Sequence, residues 1–182
     1  MPSKAASAKQ NGADKMQSPA EPGKDAIALL KADHQQVDEL FKKFENAKSD
    51  GDKKALVNAI CIALKVHTRI EEDIFYPAAF AATGEAALLQ EAQVEHASAR
   101  DLIAQIEAGN PGEALFDARV KVLGEYVRHH VQEEETELFP LCRKSQLDLD
   151  ALGRTMAARK QALLVGLAVS NPVLALSLTP TA

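Results

Sequence analysis

Cysteine is scarce. Cys61 and Cys142 are the two in the 182 residues, too few for a disulfide scaffold or a four-cysteine zinc site, and they form no CxxC pair. A reducing, cytoplasmic setting is the expectation. Positive charge is also short: 21 Lys and Arg stand against 26 Asp and Glu, a formal charge of −5. That balance argues against a phosphate-tracking surface, and so against nucleic acid as a partner. No uninterrupted apolar run reaches the roughly 20 residues of a bilayer span, because the most apolar stretch, 162–178, is broken by Ser170, Asn171 and Pro172. There is no GxSxG elbow, Walker loop, Rossmann fingerprint or HExxH, which leaves the common hydrolase, kinase, dehydrogenase and zinc-protease chemistries without a foothold. Strand signals are nearly absent too, since the β-branched residues are scattered.

What is present is an ordinary globular composition, 46% hydrophobic and 26% charged, able to bury a sizeable core. Residues 1–24 mix Ala, Ser, Lys, Gly and Pro without apolar periodicity and read as a disordered N-terminal arm. Residues 25–142 carry four segments of helical spacing, and 143–182 read as a C-terminal helix followed by an apolar tail, a place where a protein partner could dock.

The first segment, about 25–48, has its stripe at Ile27, Leu30, His34, Val37, Phe41 and Phe44, in steps of three and four. The second, about 52–80, takes Asp52 as N-cap, and its stripe is Leu56, Ile60, Ala63, His67, Ile70/Glu71 and Ile74; Pro77 is expected to kink or end it. The third, about 84–108, carries Leu89, Ala92, His96, Ala99, Ile103 and Ile106. The fourth, about 113–142, carries Phe116, Leu123, Tyr126/Val127, His130, Glu134 and Leu138. A short fifth helix, about 147–164, would cap the bundle with Arg154, Arg159 and Lys160 towards solvent. Short connections between long amphipathic helices favour an all-α, antiparallel up-down-up-down four-helix bundle with a histidine in the middle of each buried stripe.

Two stretches match closely: His67 to Pro77 and His130 to Pro140 each run histidine, glutamate four residues later, an acidic run, an aromatic and proline. His34 and His96 precede them at nearly equal distances, so each half reads H…HxxxE, an internal repeat. Residues four apart share a helix face, which turns His67 with Glu71 and His130 with Glu134 inward together. Six such groups in an apolar core are costly without a partner, and a metal removes that cost. Imidazole plus carboxylate without thiolate suits iron or manganese, and six donors for two ions point to a carboxylate-bridged di-iron centre.

On these residues the chain resembles the hemerythrin-like, or HHE cation-binding, proteins over about residues 25–142. The resemblance implies that His34, His67, His96 and His130 are metal ligands and that Glu71 and Glu134 bridge two irons, with an oxo or hydroxo bridge. Oxygen carriers of that family hold a fifth histidine in an HxxxH pair on the third helix. Here Ala92 and Arg100 occupy the four-residue offsets from His96, so that ligand is missing. Tyr126, one turn before His130, is the expected extra ligand or outer donor, and Asp38 and Glu137 could orient imidazoles. His129 reads as outward or outer-shell, with His129–Glu133 the alternative register. The function expected is binding of O2, NO or peroxide at an open iron position in sensing, scavenging or iron handling. The alternatives are a peroxide-decomposing or ferrous-iron-oxidising enzyme, and a metal-responsive signalling module.

Overall fold

A computed structural model describes residues 25–170, with side chains through 167; the N-terminal arm and residues 171–182 lie outside the described part. Every element among the described residues is helical: α1 (Ala26–Asn46), α2 (Asp50–Ile70), α3 (Tyr76–Thr83), α4 (Ala86–Glu107), α5 (Phe116–Glu133), α6 (Phe139–Lys144) and α7 (Leu149–Ser170). Two five-residue π-helical turns, Glu71–Phe75 and Glu134–Leu138, join α2 to α3 and α5 to α6 without a break. The four rods of the bundle are therefore α1, α2–α3, α4 and α5–α6. Neighbours are α1 with α2, α2 with α4, α4 with α5, and α5 back to α1, closing an antiparallel ring.

Local chemistry sets the ends. Asp25 caps α1 by accepting the Ala28 amide at 2.7 Å. Ser49, rather than Asp52, caps α2: its hydroxyl accepts the Asp52 amide at 3.0 Å and donates to the Asp52 carboxylate at 2.7 Å, a reciprocal arrangement that satisfies a first-turn donor. Gly84 closes α3 at φ +74°, a conformation that glycine adopts without strain.

Pro77 neither ends nor visibly breaks its helix. A proline inside an α-helix lacks the amide for the i−4 carbonyl and crowds it. Here the preceding turn has widened, and the Tyr76 amide donates to Glu71 O, five residues back. Pro140 is accommodated in the same way, with the Phe139 amide on Glu134 O. Such single π turns occur often at functional sites.

The apolar stripes meet in two clusters. One holds Leu30, Ile70, Phe75, Leu138, Phe139 and Met156; the other holds Phe41, Ile60, Ile103, Phe116 and Leu123. The histidines form a polar layer between them. The fifth helix is longer than the sequence reading gave it and lies along α1 and α2, with Met156 fully buried. Its basic side chains do not all face water: Lys160 binds Asp33, and Arg159 binds Asp73 at 3.0 Å.

Candidate metal centre

Each helix of the ring brings one imidazole to the centre: His34 from α1, His67 from α2, His96 from α4 and His130 from α5. Glu71 and Glu134 open the two π turns, and all six residues are buried. Glu71 spans the halves, with Oε1 3.1 Å from His67 Nε2 and Oε2 3.5 Å from His96 Nε2. Glu134 Oε2 lies 3.3 Å from His34 Nε2 and 3.6 Å from His130 Nε2. The donor atoms form two overlapping groups, His34–His67–Glu71–Glu134 and Glu71–His96–His130, each gathered within 4.8 Å.

Seven buried side-chain atoms have no hydrogen-bond partner among the described residues, and five of them face one another here: His34 Nε2, His67 Nε2, both Glu71 oxygens and Glu134 Oε2. Unpaired buried groups cost roughly 1–3 kcal/mol each. A divalent cation accepts lone pairs from imidazole and carboxylate alike, so this donor set fits a metal.

The charges are strongly coupled. Burial disfavours a charged His67, yet Glu71, Asp33 and Glu134 outweigh it and lift its pKa to about 10. Burial likewise opposes ionisation of Glu134, but the His34 contact and the neighbouring imidazoles hold it well below the usual carboxylate range. His96 is moved the other way, downward, chiefly by burial.

Behind every imidazole stands a carboxylate. Glu135 Oε1 is 3.0 Å from His34 Nδ1, Glu72 Oε1 is 3.0 Å from His96 Nδ1, Glu95 Oε2 is 2.8 Å from His130 Nδ1, and Asp33 Oδ2 is 3.7 Å from His67 Nδ1. Carboxylates in this position fix the ring's tautomer and orientation and strengthen it as a ligand. The sequence reading missed all four, although the repeat contained the signal. An acid immediately precedes His34 and His96, and a second glutamate immediately follows Glu71 and Glu134. In space the acid before each first histidine backs the second histidine of its own half, and the extra glutamate backs the first histidine of the other half.

Tyr76 was missed as well. Its buried hydroxyl donates to Glu134 Oε1 at 2.9 Å and lies 3.4 Å and 3.5 Å from Nε2 of His96 and His130. The π turn is the reason: an extra residue in the turn brings position i+5 from Glu71 into line with the ligands. Phe139 is the repeat equivalent and stacks on His34 at 5.9 Å, as Tyr76 stacks on His96 at 5.6 Å. Burial and the carboxylates Glu71 and Glu134 push the Tyr76 pKa well above the ordinary phenol value, so it keeps its proton.

The other expected residues lie outside the buried layer. Tyr126 is half exposed and lines the cavity that reaches the four imidazoles. Asp38 pairs with Lys42 at 2.6 Å and Arg128 at 3.3 Å, and Glu137 is exposed. His129 faces outward, 3.3 Å from Glu133. Cys61 and Cys142 are buried thiols whose pKa values burial pushes up to about 12 and about 11, consistent with small core residues. A cavity of about 560 Å³ reaches all four imidazoles, and apolar Val37, Leu64, Ala99, Ile103 and Val127 form much of its wall.

The fold and this His/Glu layer define a helical-bundle metal-binding protein. Residues 25–142 match the hemerythrin HHE cation binding domain, and the chain belongs to that family. It superposes with a TM-score of 0.70 on the crystal structure of a hemerythrin HHE cation binding domain-containing protein from Mycobacterium kansasii, at 24% identity, covering 81% of this chain and 94% of that one. It is also 29% identical over 117 residues to a DNA nickase from Nostoc sp. (strain PCC 7120 / SAG 25.82 / UTEX 2576). That match takes in 64% of this chain but spans a third of the longer protein, 33% of its length. No helix among the described residues is long and apolar enough to cross a membrane.

Proposed function

We propose that this protein holds two iron ions in its histidine layer and binds a small uncharged ligand, O2, NO or peroxide, beside them. His34, His67, Glu71 and Glu134 would hold one ion; His96, His130 and the second oxygen of Glu71 would hold the other, with the Tyr76 hydroxyl at its side. The observation that carries this reading is the set of five partnerless buried atoms drawn from both halves of the repeat. When bound, the iron supplies an open coordination position and a change of oxidation state. The chain's own residues do the rest. Glu71 ties the two halves together through one carboxylate, and the four outer carboxylates fix the tautomer of each imidazole and aim it inward. The largely apolar cavity admits uncharged molecules more readily than ions.

A second reading, peroxide breakdown, is favoured by Tyr76, a protonated phenol between two imidazoles and a carboxylate, where a proton donor is useful. The test is to load metal-free protein with ferrous iron without oxygen, measure iron per chain, and add NO or azide. About two irons and a new absorption band are expected, both lost in Glu71→Ala. Clearly fewer than two with no spectral response would overturn the proposal.

A further inference from the structure

The outer shell has one irregular member. Three of the four carboxylates behind the imidazoles are themselves backed by a fixed cation: Glu135 by Lys31 at 2.8 Å, Glu72 by Arg100 at 2.6 Å, and Asp33 by Lys160. Glu95 has no lysine or arginine partner among the described residues. Its free oxygen, Oε1, faces His129 Nε2 at 3.8 Å, and His129 Nε2 in turn faces Glu133 Oε1 at 3.3 Å. These three residues present one donor atom each within 4.8 Å of one another, outside the buried layer.

The two halves of the repeat differ at just this place. In the first half the equivalents of His129 and Glu133 are Val66 and Ile70, both buried, on the side of the bundle that α7 covers. In the second half no helix among the described residues lies over that edge, and His129 is exposed. The equivalent of Ala92 is Leu30, which is fully buried. Beside the smaller Ala92 a crevice of about 10 Å³ is lined by Glu95, His130, Glu133 and Glu134. That is about the room one water needs. Among the groups lining it is Glu134, whose Oε2 is buried and partnerless.

From this asymmetry we infer that Glu95, His129 and Glu133 form a surface capture site for a divalent transition-metal ion, which passes from there to the buried layer. One imidazole and two carboxylates suit ferrous iron, manganese or zinc better than calcium. Neighbouring donor atoms around one such ion stand on the order of 3 to 3.5 Å apart, given metal–ligand distances of about 2.0–2.2 Å. A captured ion supplies the cation that Lys31, Arg100 and Lys160 supply at the other three positions. Glu95 is the link, since its second oxygen already holds His130.

Transfer rests on the proposed metal occupancy of the buried layer; capture does not. Full-length metal-free protein is mixed with cobalt(II), whose absorption reports filling of the buried sites, and equilibrium cobalt content is counted separately. His129→Ala and Glu133→Gln are expected to slow filling about tenfold, the order by which a charged funnel raises on-rates, while final buried occupancy is unchanged. Each should also bind one ion fewer per chain in excess cobalt. Glu39→Gln, which removes the same charge on the outer face of α1, should change neither. Equal rates and equal counts in wild type, His129→Ala and Glu133→Gln overturn the inference, as does an equal slowing by Glu39→Gln. If the buried bands never develop in wild type, the layer's occupancy fails. Capture then stands only on a single surface ion present in wild type and absent from His129→Ala, and is overturned without it.

Discussion

At the scale of single residues, the centre is a set of polar atoms that tolerate burial only in company. Tyr76 and Glu134 illustrate this, because a buried hydroxyl satisfies one carboxylate oxygen and leaves the other free. Removing the hydroxyl in Tyr76→Phe should destabilise the metal-free protein by about 1.5–3 kcal/mol, the range for a hydrogen bond to a charged group. Iron content should stay at the wild-type value while peroxide loss slows. Denaturant titration with a peroxide assay checks both, and an unchanged peroxide rate would remove Tyr76 from the chemistry. Glu135 acts one step further out, through His34 Nδ1 at 3.0 Å. Glu135→Gln should weaken iron binding by roughly 10- to 100-fold, the usual effect of losing such a partner, as read by competition with a chelator. Affinity within twofold of wild type would mean that the contact does not orient the ring.

At the scale of helices, the two π turns and α7 do what the bundle alone could not. The alternating apolar stripes of α1, α2, α4 and α5 were legible because helical spacing records which face is buried, and the doubled H…HxxxE recorded the six central groups. Contacts between helices leave weaker traces. Tyr76 escaped notice because an α-helical count from Glu71 turns position i+5 away, and the widened turn that brings it back answers Pro77. The four outer carboxylates left no trace in the helical spacing because their partners are on other helices. Lys160 is the clearest case, since a basic residue on a weakly patterned helix gives no sign that it reaches Asp33 behind His67. Lys160→Met should leave Asp33 buried without its cation, lowering both the melting temperature and iron affinity, whereas Lys160→Arg should restore most of each. Full affinity in Lys160→Met would make α7 a cover without influence on the site. The start of α5 holds a separate weakness. Exposed Leu115 has φ +70°, a conformation costing a side-chain-bearing residue about 1–2 kcal/mol. Leu115→Gly should raise stability by up to about 1 kcal/mol in denaturant melts; a loss would show that the turn tolerates leucine at no cost.

At the scale of the whole molecule, protons and metal compete for the same layer. In the metal-free chain the folded-state pKa of His67, about 10, lies above the free imidazole value of about 6.5. Its protonated form therefore contributes stability that is complete below about 6.5 and lost as pH rises through about 10. Glu134 runs the other way: its depressed pKa gives stability present above the ordinary carboxylate range and lost as pH falls below it. Ligating imidazoles must be neutral, so iron uptake should release protons and tighten as pH rises across the interval in which the metal-free chain weakens. Calorimetry should show the melting temperatures of iron-loaded and metal-free protein moving apart from about pH 6 to about pH 9. A gap that narrows would contradict histidine ligation.

The most direct measurement is an anomalous-diffraction map, collected at the iron edge, from crystals of the iron-loaded full chain. Two iron peaks are expected inside the histidine layer, one beside His34 and His67 and one beside His96 and His130, with Glu71 between them. A map with no peak among the four imidazoles, or imidazoles turned away from one another around an empty centre, would contradict it.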